Sequence, residues 1–332
     1  MFFYRISIIK EQVKLFKGVF PLGNIEIEQI RFGKYGDCLK LSNDKTELIA
    51  TVEIGPRIIK FGKKDGPNEF FEDTEDKSKE MANDLLEYYG NNKGGWHIYG
   101  GHRLWVAPES FPETYYPDNR KVDYEIIDNG FVLKQEPQIE NGIQNKIKIE
   151  MSKEGIVDVS HYITNISKKV KELAPWSLSV MAVGGLMVIP VNKRNSGLLH
   201  NMNISVWHYT DLNDDRLDFG TDYIKIKSTK ETSRNFKLGV SVESGYVLYF
   251  NNNNMFVKRF EEFKDKNKYP DNNVNFEAYT CNSYTEIETL GKLIKLKPDD
   301  TVCHKEAWQL VTDIAEPSTD KEISNIIETF IK

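Results

Sequence analysis

The chain has 332 residues, 39% hydrophobic and 28% charged, which is enough apolar mass for a large folded core. Its 44 Lys and Arg against 50 Asp and Glu give a net charge of −6, without the basic excess that nucleic acid or an anionic membrane attracts. Cys38, Cys281 and Cys303 form no CxxC pair, which speaks against structural zinc and a disulfide framework and predicts mostly buried, reduced thiols in a cytoplasmic protein.

The first 24 residues are expected to form an N-terminal extension, with a short helix or an added strand over 5–17. Lys10, Lys14 and Lys17 interrupt this apolar stretch before a membrane span or secretory core can develop. Residues 25–332 are expected to form one domain. Short alternating segments run through it at 25–31, 37–42, 47–53, 122–127, 131–135, 145–151 and 156–164. They continue at 204–208, 223–227, 237–242, 293–297 and 302–311. Broken by Gly, Asn, Asp and Pro, they predict an all-β sandwich or barrel. Residues 63–76 are acidic and polar and are expected as an exposed insertion. Apolar spacing at Met81, Leu85 and Leu86 predicts a helix over 77–89. Asn251 to Asn254 reads as the turn of a hairpin. A Ser/Thr-Asp start before Ile323, Ile326, Ile327 and Phe330 predicts a C-terminal helix over 318–331.

Two stretches concentrate carboxylates, imidazoles and tryptophans in a chain with only six His and five Trp. One is Gly100-Gly101-His102-Arg103-Leu104-Trp105, continuing to Glu109. The other runs from Thr285 through Glu286 and Glu288 to Gly291, followed by His304, Glu306 and Trp308. Sugar sites need this mixture: acid and base groups for hydroxyl protons, and aromatic faces for the apolar side of a pyranose. The first stretch reads as a glycine-rich loop, with Arg103 beside Glu109 as an ion-pair candidate. In 302–311, alternation places His304, Glu306 and Trp308 on one face, either as a hydrogen-bonded core group or as a cleft wall. Glu286 and Glu288 share a face too, and two such charges need a cation or a shared proton if buried. Glu277 is a third carboxylate candidate, and Trp176 is either a sugar platform or a core aromatic. His97 and His102, five residues apart, do not make a metal pair on a helix, and no metal or other cofactor is expected.

The order of these stretches resembles the galactose mutarotase-like superfamily, which includes the aldose 1-epimerases. Ile54-Gly55-Pro56-Arg57-Ile58 resembles the early strand that brings an arginine toward the sugar. Gly100–Trp105 lies where the epimerases carry a His-Gly-Gly loop. Val157–Ser167 resembles the strand ending in Thr-Asn-x-Ser, and Leu296–Asp300 resembles the late Leu-x-Pro-Gly-Glu turn. Covering about residues 25–312, the resemblance implies an all-β supersandwich with a few short helices, and a small carbohydrate as partner. It also implies a catalytic glutamate before the late turn, which Glu277 matches by position. Glu286 and Glu288 belong to the Glu-x-Glu-Thr-Leu-Gly pattern of a branch that shares Gly-Gly-His-Arg-Leu-Trp. The family's histidine after the Asn-x-Ser stretch is missing here, where the chain reads Ala174-Pro175-Trp176-Ser177-Leu178-Ser179. The resulting expectation gives Glu288 or Glu277 as base and His102 or His304 as acid. Arg57, Arg103, Trp105, Glu109, Trp176 and Glu286 are then the sugar-binding candidates. Three readings stay open: a sugar-epimerising enzyme, a non-catalytic sugar-recognition module, and a structural sandwich with an internal ion network.

Overall fold

A computed structural model describes residues 25–75, 82–90, 93–264 and 266–331. The element expected over 5–17 lies outside the described residues. The described strands form two antiparallel sheets. The front sheet, in spatial order, contains Glu26–Arg31, Asp37–Ser42, Thr46–Thr51, Arg57–Lys63, Gly101–Ala107, Lys171–Ala182, Tyr284–Leu290, Phe276–Thr280, Phe236–Val240 and Ile204–Val206. Ile294–Leu296 pairs beside this path with Lys171–Ala182. The back sheet runs Leu217–Phe219, Tyr223–Lys227, Leu186–Pro190, Tyr246–Asn251, Asn254–Phe260, Thr301–Thr312, Val157–Asn165, Ile143–Met151, Gly130–Lys134 and Asp123–Ile127.

Alternation explains the stacking. In Ile143–Met151 every second side chain is buried, so Ile147 and Ile149 face the other sheet while the intervening residues face outward. Each such side chain contributes about 1.5–3 kcal/mol by leaving water. At the centre Phe61, Phe70, Phe256 and Trp308 pack ring against ring at 5.6–6.0 Å. Lys171–Ala182 departs from alternation: from Leu173 to Met181 every residue is buried. A strand buried on both faces needs cover on both, and the outer cover of the front sheet is built by loops.

Several expectations meet their physical cause. Asn252 (φ 51°) and Asn253 (φ 59°) form the two-residue left-handed turn that twisted hairpins prefer. The Asn252 and Asn254 side chains bind Glu69, and Asn251 Nδ2 donates to Ala182 O. The terminal helix is Asp320–Phe330; Thr319 Oγ1 accepts from Glu322 N, and Ile323 and Ile327 pack on the outside of the back sheet. Of the helix expected over 77–89, the described part is Ala82–Tyr89.

Two expectations are corrected. The stretch read as a loop at Gly101 to Ala107 is a central strand, paired along its length with Ala174 to Val180. Its glycines serve close packing: a Cβ on Gly101 (φ 68°) would lie 2.2 Å from Ile58 O. Residues 63–75 are not simply exposed either, because Phe70 enters the central aromatic cluster and carries Glu69 inside with it.

Candidate functional site

Pairing puts both sequence motifs in one sheet, and alternation then divides each of them between two faces. On the outer face of the front sheet Arg103 lies opposite Leu178, Leu178 opposite Glu288, and Glu288 opposite Glu277. One row along, Trp105 lies opposite Trp176 with their rings 5.4 Å apart. The residues between these, His102, Ser177, Ser179 and Thr289, point into the sandwich. The motifs therefore meet, but only half of each faces outward.

On this outer face Trp176 and Glu277 reach a cleft of about 680 Å³, with Arg103, Trp105, Glu286 and Glu288 beside or beneath it. Its lining includes Trp176, Lys237 and Glu277 from strands, Tyr115 from the 3-10 turn Glu113–Tyr115, Asp271 from the short turn Pro270–Asn273, and Glu109, Phe111 and Trp207 from loops. Lys237 is only 5% exposed. Its Nζ lies 2.8 Å from Glu277 Oε2 and 3.1 Å from Glu288 Oε2, and 4.6 and 4.7 Å from the ring centres of Trp176 and Trp207. Glu288 Oε2 also accepts from Trp176 Nε1 at 2.8 Å. Glu277 is fully buried, with Lys237 as its ion-pair partner at Oε2 and the Asp271 side chain bonded to the same carboxyl.

The electrostatics follow from crowding. Burial pushes the Glu277 carboxyl well above the usual carboxylate range; Lys237 opposes this, while Glu288 and Asp271 add to it. Asp271 is raised as well, chiefly by burial. Burial alone would lower Lys237, but Glu288 and Glu277 overcome it and hold the ammonium well above its usual range. Arg103 spans 3.0 Å to Glu286 and stacks 4.2 Å from the Trp105 ring centre. Glu286 is raised by burial against the pull of that guanidinium. Arg103 thus pairs with Glu286 rather than with Glu109, whose Oε1 instead accepts from Tyr115 Oη.

The inward half joins a closed polar layer. His102 Nε2 and His161 Nε2 are 2.7 Å apart, His102 Nδ1 meets Ser179 Oγ at 2.9 Å, and His161 Nδ1 meets His304 O at 3.2 Å. A carbonyl can only accept, so His161 carries its proton on Nδ1; His102 then donates from Nε2 and accepts from Ser179. Lys258 Nζ reaches Glu306 Oε1 at 2.9 Å, Ser179 Oγ at 3.1 Å and Ile287 O at 3.0 Å. Glu306 also receives Ser177 Oγ, Thr289 Oγ1 and Trp308 Nε1. Burial drives His102 well below its usual range and His161 and His304 to about 4, so all three imidazoles are neutral. Burial would raise Glu306, but Lys258 beside it holds its carboxyl well below the usual range. His102, His161 and Glu306 form a metal-sized trio, with ligand atoms within 4.8 Å of one another. The Lys258 ammonium already supplies there the positive charge a metal would bring.

Of the residues singled out from sequence, Glu277, Glu288, Trp176, Trp105, Arg103 and Glu286 lie on the outer face, with Glu109 at the cleft rim. His102 and His304 lie in the inner layer, away from the cleft. Arg57 is fully buried elsewhere: it donates to the Ile98 and Gly100 carbonyls and pairs with Asp118 at 2.9 Å, pinning the loop before Gly101. Sequence reasoning missed Lys237, Asp271, Tyr115, Trp207, His161 and Lys258. His161 alone left a trace, sharing a face with Val157, Val159 and Ile163 in an apolar alternation. The two lysines each look like the solvent side of an ordinary strand.

No protein-family model and no curated protein matches the chain. Solved structures do. A putative mutarotase from Salmonella typhimurium superposes with a TM-score of 0.53 at 9% identity, over 89% of this chain and 97% of that one. A galactose mutarotase-like protein from Lactobacillus casei gives 0.51 at 10% identity, over 82% and 99%. A TPR-domain containing protein from Parabacteroides distasonis gives 0.54 at 13% identity over 86% of this chain; the match spans about half of that protein, 49% of its length. At these identities the likeness is one of fold, and the fold is the galactose mutarotase-like β-sandwich.

Proposed function

We propose that this chain binds a small sugar in the cleft on its front sheet and transfers a proton at the sugar's anomeric centre. The carrying observation is the crowding of Glu277 and Asp271, two carboxyls in contact beside the Lys237 ammonium, at a cleft walled by Trp176, Trp207 and Tyr115. Two crowded carboxyls, Glu277 and Asp271, hold one proton between them more readily than two negative charges. Such a pair supplies acid and base together. The protonated member gives its proton to the ring oxygen as the C1–O5 bond breaks, and the ionised member takes the proton of the anomeric hydroxyl. Rotation about C1–C2 and the reverse transfers close the other anomer, with no net change in protons. Glu288 and Trp176 fix Lys237, which limits the negative charge around the pair. The acid role that the sequence suggested for His102 or His304 passes in this reading to the cleft carboxyls, because both imidazoles are enclosed by the two sheets.

The test is NMR exchange between anomers of glucose and galactose. Catalysis predicts faster exchange with the protein, and a fall of roughly 10²–10⁴-fold in Glu277→Gln with binding retained. Saturable binding without exchange would leave the recognition-module reading in place. Absence of both would leave the structural one.

A further inference from the structure

The cleft is larger than one sugar. A single hexose fills about 200 Å³ at close packing, against about 680 Å³ here. A line of aromatic rings leads away from its floor. Trp176 meets Trp105 at 5.4 Å, Trp105 meets Tyr115 at 5.2 Å, Tyr115 meets Phe111 at 6.2 Å and Phe111 meets Tyr88 at 5.5 Å. Exposure rises along this line: Trp176 is buried, Trp105 and Tyr115 are half-buried, and Phe111 and Tyr88 are 48% and 51% exposed. The outer pair is held in place. Tyr88 belongs to the helix Ala82–Tyr89, whose Leu85 and Tyr89 are buried, and Tyr89 Oη donates at 3.0 Å to the carbonyl of Pro112, the residue after Phe111.

Two rings fixed half in water at the mouth of a cleft keep apolar area uncovered, as ligand-binding grooves do. They extend outward the stacking surface that Trp176 and Tyr115 offer inside it. Glu109 and Ser110 line the cleft directly before Phe111 and supply a carboxylate and a hydroxyl for sugar O–H groups. From this geometry we infer that the cleft continues into a second sugar subsite on Phe111 and Tyr88, so that its ligand is a reducing oligosaccharide rather than a free hexose. The inference rests on the sugar-binding reading and extends its ligand outward. The free anomeric end lies by Glu277 and Asp271, because proton transfer there needs an unlinked C1 hydroxyl, and the next unit lies over the outer rings.

Calorimetric titration of the full chain with glucose, maltose, cellobiose and lactose tests this. The disaccharides all carry glucose at the reducing end, so any gain over glucose comes from the second unit. At least one of them is expected to bind about tenfold tighter than glucose. Tyr88→Ala should remove much of that gain and leave glucose binding as it was, Tyr88→Phe should retain the gain because the ring remains, and Phe111→Ala should remove most of it. Disaccharides that bind no tighter than glucose, a gain that survives both alanine substitutions, or a Tyr88→Ala loss shared equally by glucose would each overturn the inference and leave the sugar-binding reading standing. Binding of none of these sugars would overturn that reading and this inference with it.

Discussion

The outer cleft and the inner polar layer are made by the same strands from the same kinds of residue, and they end in opposite conditions. Each holds a buried glutamate, a buried lysine and a tryptophan. In the inner layer Glu306 takes the Lys258 ammonium at 2.9 Å together with two hydroxyls and an indole N–H. In the cleft Glu277 has one ion-pair contact, with Lys237, and a second carboxyl, Asp271, against it, with no hydroxyl or indole donor among the described residues. A saturated carboxylate has nothing left to offer a ligand, whereas an unsaturated one needs a proton, water or a ligand to complete it. Charge density does not distinguish a site from a structural network here. Saturation does.

Removing the cation from each region should separate them most clearly. Lys258→Met leaves Glu306 buried without its counter-charge, and about 3–5 kcal/mol of stability should be lost; urea unfolding would measure it. A loss under about 1 kcal/mol would mean that the inner layer is not the fixed network its bonds suggest. Glu277→Gln should do the reverse. Its folding midpoint should hold or rise, because one of two crowded carboxyls is removed, while exchange falls by roughly 10²-fold or more. If instead it unfolds like Lys258→Met, the cleft is a second structural network.

How far the sequence reached follows from periodicity. Strand alternation was legible, as was the terminal helix, because Ile323 and Ile327 repeat at helical spacing behind a capping Thr319. The resemblance supplied the sheet architecture and Glu277. The split of each motif between two faces was knowable in principle once Gly101–Ala107 is read as a strand, since His102 and Arg103 must then point opposite ways. Its glycines hid this by imitating a loop. What the sequence could not show is partnership. Lys237 and Lys258 each follow an apolar residue in an ordinary strand pattern, and only the long-range pairing of Phe236–Val240 with Phe276–Thr280, and of Asn254–Phe260 with Thr301–Thr312, brings their carboxylates near. Asp271 comes from a short turn and Trp207 from a loop, where local pattern carries no register at all.

Glu69 is an intermediate case that sharpens the contrast. Its carboxyl is 1% exposed and accepts from Asn254 Nδ2 at 2.6 Å and Asn252 Nδ2 at 3.2 Å, with no cation paired to it among the described residues. Burial raises it to about 7, against the pull of those two amides. The sign follows from linkage: between about 4.5 and 7 the folded chain holds a proton that the unfolded chain has released. Stability from this group is therefore fully present at low pH, falls as pH rises through that window, and is flat above it. The span is about 3 kcal/mol at most. Glu69→Gln cannot ionise, so the gap between its melting temperature and that of the natural chain should widen in the variant's favour from pH 5 to pH 8. A gap that stays constant across that range would show that two amide donors satisfy a buried carboxylate as well as Lys258 and its companions do, and that the ammonium is not what separates the saturated region from the unsaturated one.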